Sequence, residues 1–180
     1  MELDPKTGAT VALKTRQGRD NNSTWTRGQA WGIHNFTNAF EALGDERYLA
    51  AALKLLRWYV AHIPADCVPY YDFDDPDIAT IPRDSCSAAL VSNAIMRLIR
   101  YRPQLHEEFQ PLLEGTLDEI LHNYLAVGGT LLHGSWGRVR GASGIGAFPQ
   151  EDIMPYGNYW IAESLYRFLK DDWQLFRTIE

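Results

Sequence analysis

Five stretches of this chain have the length and apolar spacing of helices, and they alternate in kind. The first, third and fifth ("GQAWGIHNFTNAF", "CSAALVSNAI" and "YWIAESLYRF") are small or apolar around most of their circumference, as expected of helices packed on more than one side. The second, "ERYLAAALKLLRWYVAHI", and the fourth, from about Leu105 to Tyr124, are apolar on one face only. An inner helix followed by an outer one, repeated, is the wiring of a toroid of helical hairpins, in which two concentric layers enclose a central cleft. About three inner helices are too few to close such a ring. The pattern therefore predicts an all-α fold, one domain over residues 1–180, that forms part of a barrel.

The punctuation sets the boundaries. Leu3 to Thr15 reads as a short β-hairpin, with "DPKTG" as turn chemistry and "TVALKT" alternating at period two. The first helix runs from about Thr26 to Leu43, with Ser23 or Thr24 as its cap and Gly44 ending it. Asp45 caps the second, whose apolar stripe is read as Leu49, Leu53, Leu56 and Val60 and which closes at Pro64. The connection from Ala65 to Pro82 carries too many aromatics for a mere linker, so it is expected to cover something. Asp84 or Ser85 starts the third helix, and Pro111 and Gly115 are kink points in the fourth. A long glycine-rich segment with room for a strand at "GTLLHG" precedes the fifth helix, "YGNYWIAESLYRFLK".

Charge and composition exclude several classes. The net charge of -6 is mixed along the chain, with no basic stripe for nucleic acid. No run approaches the ~18 apolar residues of a membrane span, and the start lacks the features of a secretory signal, so the chain reads as cytoplasmic. Cys67 and Cys86 have no metal-type spacing and make no disulfide framework. The five histidines show no paired ligand spacing, and the acidic loop "YYDFDDPD", with Asp72, Asp74, Asp75 and Asp77, lacks the order of a calcium loop. No metal site is expected from these spacings.

The stretch "STWTRGQAWG" is where chemistry concentrates. If the helix begins near Thr26, Arg27 and Trp31 share a face while Trp25 sits at the helix mouth. Aromatic walls suit a sugar ring, a guanidinium suits a carboxylate or sulfate, and Gln29 or nearby Gln17 adds neutral hydrogen bonds. The plainer alternative makes both tryptophans core and pairs Arg27 with an acid such as Asp74. Asp84 is read as a helix N-cap, Asp20 as a turn residue, and His62 and His122 as partners of helix C-termini.

Taken in order, "NSTWTRGQAWGI", "VPYYDFDDP", "RDSCSAA", "GTLLHG" and "DIMPYGNYWIAESLYR" resemble the C-terminal half of the unsaturated glucuronyl hydrolases, glycoside hydrolase family 88. The related unsaturated rhamnogalacturonyl hydrolases are less similar around "RGQAW". The resemblance implies a six-hairpin (α/α)6 barrel and an enzyme that hydrates the C4=C5 enol ether of a terminal unsaturated uronic acid in lyase-generated oligosaccharides, with no metal or organic cofactor. By position in the motif, Gln17, Trp25, Arg27 and Trp31 match residues lining the family's substrate cleft. The aspartates that do the chemistry lie, by the same resemblance, upstream of the Trp25 helix. The chain is therefore expected to hold part of a sugar site, with an N-terminal half missing, self-association completing the ring, or a non-catalytic or structural fragment as the competing readings. His34, Asn35 and Asn158 depart from the family's pattern.

Overall fold

A computed structural model describes residues 2–15, 17–136 and 151–170. Two short strands, β1 (Glu2–Leu3) and β2 (Thr10–Ala12), pair antiparallel with Leu3 opposite Thr10. The Asp4 carboxylate accepts from the N–H groups of Lys6 and Thr7 at 2.8 Å each and shapes the turn, which is the hairpin that "DPKTG" predicts. The helices follow: α1 (Thr26–Leu43), α2 (Glu46–His62), α3 (Ser85–Tyr101), α4 (His106–Glu119) and α5 (Pro155–Lys170). A second two-stranded ladder, β3 (Gly134–Ser135) with β4 (Glu151–Asp152), stands in front of α5. The strand expected at "GTLLHG" shrinks to the start of β3 and one bridge between Leu125 and Leu131. Part of the glycine-rich segment and the final ten residues, "DDWQLFRTIE", fall outside the described residues.

The alternation of inner and outer helices is realised around α3. Every residue from Ser85 to Leu98 is buried, so α3 has neighbours on all sides: α1, α4 and α5 pack against it, and α2 packs on α1. The small side chains of "SCSAALVSNA" permit this, because Ala and Ser let flanking helices approach closely. The expectation of all-round burial does not extend to α1, whose buried residues Arg27, Ala30, Ile33, Thr37 and Phe40 form one stripe at helical spacing while Phe36 and Leu43 are exposed. It likewise fails for α5, where Tyr159, Phe168 and Leu169 are exposed. The reason is geometric: α1 and α5 flank α3 in the inner layer, and each lacks a second inner neighbour among the described residues.

The caps correct two readings. Gly44 ends α1 with φ +66°, in the left-handed region where glycine costs least, and the Asp45 side chain caps α2 through Arg47 N–H. Neither Ser23 nor Thr24 caps α1, however; Trp25 takes the N-cap position and offers no side-chain hydrogen bond. Backbone from the Ala65 to Pro82 connection does that work instead. Tyr71 C=O accepts from Thr26 N–H at 3.1 Å, Tyr70 C=O accepts from the Thr26 hydroxyl at 2.6 Å, and Phe73 N–H donates to Thr24 C=O at 3.1 Å. The connection thus covers the N-terminus of α1.

Two helices differ in detail from their sequence reading. The buried face of α2 is Leu49, Ala52, Leu56 and Tyr59 rather than Leu49, Leu53, Leu56 and Val60. The tyrosine wins over the valine because its ring spans the gap to Phe73, 5.5 Å between centroids. In α4, Pro111 is tolerated, and Gly115 serves close packing: a methyl group there would meet the Cys67 sulfur at 3.1 Å. The chain continues from α4 into a π-helical turn over Ile120–Tyr124. No described helix is long and apolar enough to cross a membrane. Leu56 is 0% exposed and Val60 is 38% exposed, which fixes the expected cost of truncating each. In urea unfolding, Leu56→Ala lowers stability by about 2–5 kcal/mol and Val60→Ala by less than about 1 kcal/mol.

Candidate functional site

The N-terminal ends of α1, α3 and α5 meet at one side chain. Arg27 lies in the first turn of α1 and is only 2% exposed. Its Nη1 donates to both carboxylate oxygens of Asp84, at 3.2 and 3.0 Å, just ahead of α3. Its guanidinium carbon lies 5.0 Å from the Trp25 ring centroid and 5.2 Å from that of Tyr156, in the first turn of α5. Tryptophan, tyrosine and carboxylate thus surround one cation. The alternative pairing with Asp74 is not made, because the Asp74 carboxylate accepts from Thr24 N–H at 2.7 Å.

Asp84 occupies the N-cap position of α3, and its carboxylate is turned to Arg27. It is fully buried. Burial pushes its carboxyl above the usual carboxylate range; Arg27 and then the N–H groups of Ser87, Ser135 and Cys86 pull it back only in part. Two donors of this cluster have no acceptor. Arg27 Nη2 and Trp25 Nε1 are both shielded from solvent and unpartnered. An unmet buried donor costs about 1–3 kcal/mol, so an arrangement that keeps two in one place suits a group that brings acceptors with it.

The face carrying Arg27 continues down α1 into an aromatic floor. Trp31 meets Trp160 of α5 edge to face at 6.0 Å, and His34 meets the same ring at 4.5 Å. Arg27 and Trp31 on α1 thereby oppose Tyr156 and Trp160 on α5, each pair four residues apart. Below them the interior is polar. His34 Nε2 faces Arg97 Nη1 at 3.0 Å, Arg97 is ion-paired to Glu41, and Arg167 to Glu163. Burial, then the charge of Arg97, lowers His34 from 6.5 to about 4, so it is neutral at physiological pH. Asn93, 0% exposed on α3, leaves both side-chain amide atoms without hydrogen-bond partners.

Of the four residues singled out for the cleft, the structure brings Trp25, Arg27 and Trp31 to one side of α1. Gln17 is exposed in the preceding loop, and Gly18 next to it is held so close that a methyl group there would meet Trp25 Cβ at 3.2 Å. Gln29 is turned toward α2, where its Nε2 donates to Leu55 C=O at 3.1 Å. Asp72, Asp74 and Asp75 of the acidic loop are held by local donors. Asp72 accepts from Arg19 N–H and the Ser23 hydroxyl at 2.8 and 2.7 Å, and Asp75 from Asp77 N–H at 3.0 Å. Asp20 closes its own turn through Asn22 N–H at 2.8 Å, and His62 and His122 bond carbonyls four residues earlier. Sequence reading missed Tyr156 and Trp160 as partners of Arg27 and Trp31; their matching spacing of four was the available signal.

This is a partial helical toroid whose inner helices present aromatic rings around a tethered arginine at one end of the layer. Its likeness to known proteins is specific. The chain is 34% identical over 176 residues to an unsaturated glucuronyl hydrolase of Formosa agariphila, covering 93% of this chain and 42% of that protein. It superposes on the unsaturated glucuronyl hydrolase of Bacillus sp. GL1, responsible for the degradation of glycosaminoglycan, with a TM-score of 0.81 at 28% identity, over 94% of this chain and 45% of that one. A mutant of the Streptococcus agalactiae enzyme, complexed with dGlcA-GalNAc6S, matches with a TM-score of 0.75 at 28% identity, over 94% and 46%. No family model matches the chain. The resemblance to unsaturated glucuronyl hydrolases and the toroid architecture are thus borne out, and the chain spans under half the length of the curated relatives it matches.

The buried histidine sets a pH dependence. Because folded His34 binds its proton near pH 4 and unfolded His34 near 6.5, its contribution is complete above 6.5 and is lost as pH falls toward 4. The wild-type protein loses roughly 3 kcal/mol more stability across that window than His34→Gln in parallel denaturation series.

Proposed function

We propose that this chain forms the binding wall of an unsaturated glucuronyl hydrolase and takes the terminal unsaturated uronic acid of a lyase-generated oligosaccharide. The observation that carries the reading is the pair of unmet donors, Arg27 Nη2 and Trp25 Nε1, beside the Arg27–Asp84 ion pair. A uronic acid brings a carboxylate with acceptor capacity for both, and its ring offers a flat face to Trp25 and Trp31. The rings around the guanidinium shield it, so the sugar reaches Nη2 as the Trp25 ring shifts. Gln17, exposed beside Trp25, adds a neutral contact from the rim.

The reaction of the whole enzyme is hydration of the C4=C5 enol ether, which requires an acid to protonate C4. In this reading the acid comes from outside the chain. Asp84 sits behind Arg27 with its carboxylate fully buried, and Asp72 and Asp74 are held by donors of the loop ahead of α1. Carbohydrate recognition and proton donation are thereby separate, and the chain alone binds without turnover.

Titration calorimetry with an unsaturated uronic disaccharide tests this. The chain binds it, and Trp25→Phe, which keeps a ring but removes the Nε1 donor, binds about tenfold more weakly, as expected for one hydrogen bond to a charged acceptor. Equal affinity of the two proteins defeats the assignment of that donor. Disappearance of the enol-ether absorbance with the chain alone defeats the separation of binding from catalysis.

A further inference from the structure

The neutrality of the Arg27–Asp84 pair creates a difficulty for an anionic ligand. A carboxylate arriving at Arg27 would find the guanidinium already compensated by an acid that is fully buried. Two carboxylates would then share one cation in a place poor in water, an arrangement in which one of them normally binds a proton. The site must lose a negative charge or bind the anion weakly.

We propose that Asp84 is a positioning residue for Arg27 and that it takes up a proton from solvent when the sugar carboxylate binds, so that the cluster stays neutral while Arg27 changes partners. This rests on the sugar reading given above. While the site is empty, Asp84 holds the guanidinium by Nη1 and leaves Nη2 unpaired. Once the ligand carboxylate engages Nη2, the protonated Asp84 side chain still offers a carbonyl oxygen to Nη1, so the guanidinium keeps its place between Trp25 and Tyr156.

The surroundings single out Asp84 as the group that titrates. The ionisable side chains facing it are Arg27 of α1, Tyr59 of α2, Cys86 of α3 and Tyr156 of α5. Burial holds the Tyr59 and Tyr156 hydroxyls above their usual value and pushes the Cys86 thiol up to about 12, so all three keep their protons at neutral pH. Burial has already moved the Asp84 carboxyl upward before any ligand arrives. A second negative charge moves it further in the same direction.

The experiment is titration calorimetry at about pH 6–7 in buffers of different ionisation enthalpy, with the unsaturated disaccharide and its carboxyl-reduced form as ligands. For the wild-type chain, binding the acid takes up close to one proton, about 0.7–1 per sugar, and binding the reduced sugar takes up none. Asp84→Asn, which keeps an oxygen acceptor for Nη1, binds the acid without proton uptake. Binding of the acid by the wild-type chain with no uptake overturns the proposal and leaves the sugar reading intact, as does undiminished uptake in Asp84→Asn. Failure of the wild-type chain to bind either sugar overturns both. The wild-type comparison of the two ligands decides the matter even if the variant does not fold.

Discussion

The rest of the site hangs on one buried ion pair. Taking a guanidinium and a carboxylate out of water costs several kcal/mol each, and their mutual attraction repays this only where geometry and further contacts are good. Here the contacts are shared among three helices. Arg27 belongs to α1, Asp84 to the residue ahead of α3, and the flanking ring of Tyr156 to α5. The pair is therefore a poor source of stability in itself and a strong source of register. Sliding the end of α1 or α3 would strand a charge in the interior, and sliding α5 would take the Tyr156 ring from the guanidinium, so the mouth of the inner layer is fixed even though α1 and α5 are each open on one side.

That same logic explains which parts of the molecule were legible in the sequence. Helix existence followed from period and punctuation: Gly44, Asp45 and Pro64 stop and start the chain where the helices stop and start, and "SAALVSNA" announced a helix buried all round. What was hidden depended on long-range pairing. Arg27 chooses Asp84, 57 residues away, over Asp74, because Asp74 is drawn to the unprotected N–H of Thr24. The capping of α1 was misread for a related reason: a backbone loop, not a nearby hydroxyl, covers its first turn, and Ser23 is thereby released to bind Asp72. The α2 stripe was misplaced by one position at two points, Leu53 for Ala52 and Val60 for Tyr59; at the second, Phe73 gives the Tyr59 ring a partner that is distant in sequence.

The candidate cleft residues show the same division. Arg27 and Trp31 share a side of α1 because helical spacing puts them there, and Trp25 joins them from the helix mouth, its ring centroid 5.0 Å from the Arg27 guanidinium; this much was readable. Gln29 sits between them in sequence but lies on the α2 side, where Leu55 takes its amide. The resemblance to unsaturated glucuronyl hydrolases supplied a substrate class that spacing alone does not, since aromatic rings at this interval are as often core as binding surface. Here they are partly both: Trp31 packs on Trp160 while its neighbours along the face keep donors in reserve.

The polar interior beneath the aromatic floor completes the argument about what the chain can do. His34 is an imidazole kept neutral by burial and by the charges of Arg97 and Arg167, so it is no proton donor at physiological pH. Its neighbours Arg97 and Arg167 are spent on Glu41 and Glu163. Above the floor, each carboxylate near Arg27 has a prior partner. An acid for the enol ether therefore has no candidate among the described residues around the cleft, although hydrogen-bond donors and ring faces are in place there. The proposed division of labour, a wall that recognises the sugar and leaves protonation to another segment, is the one this arrangement favours.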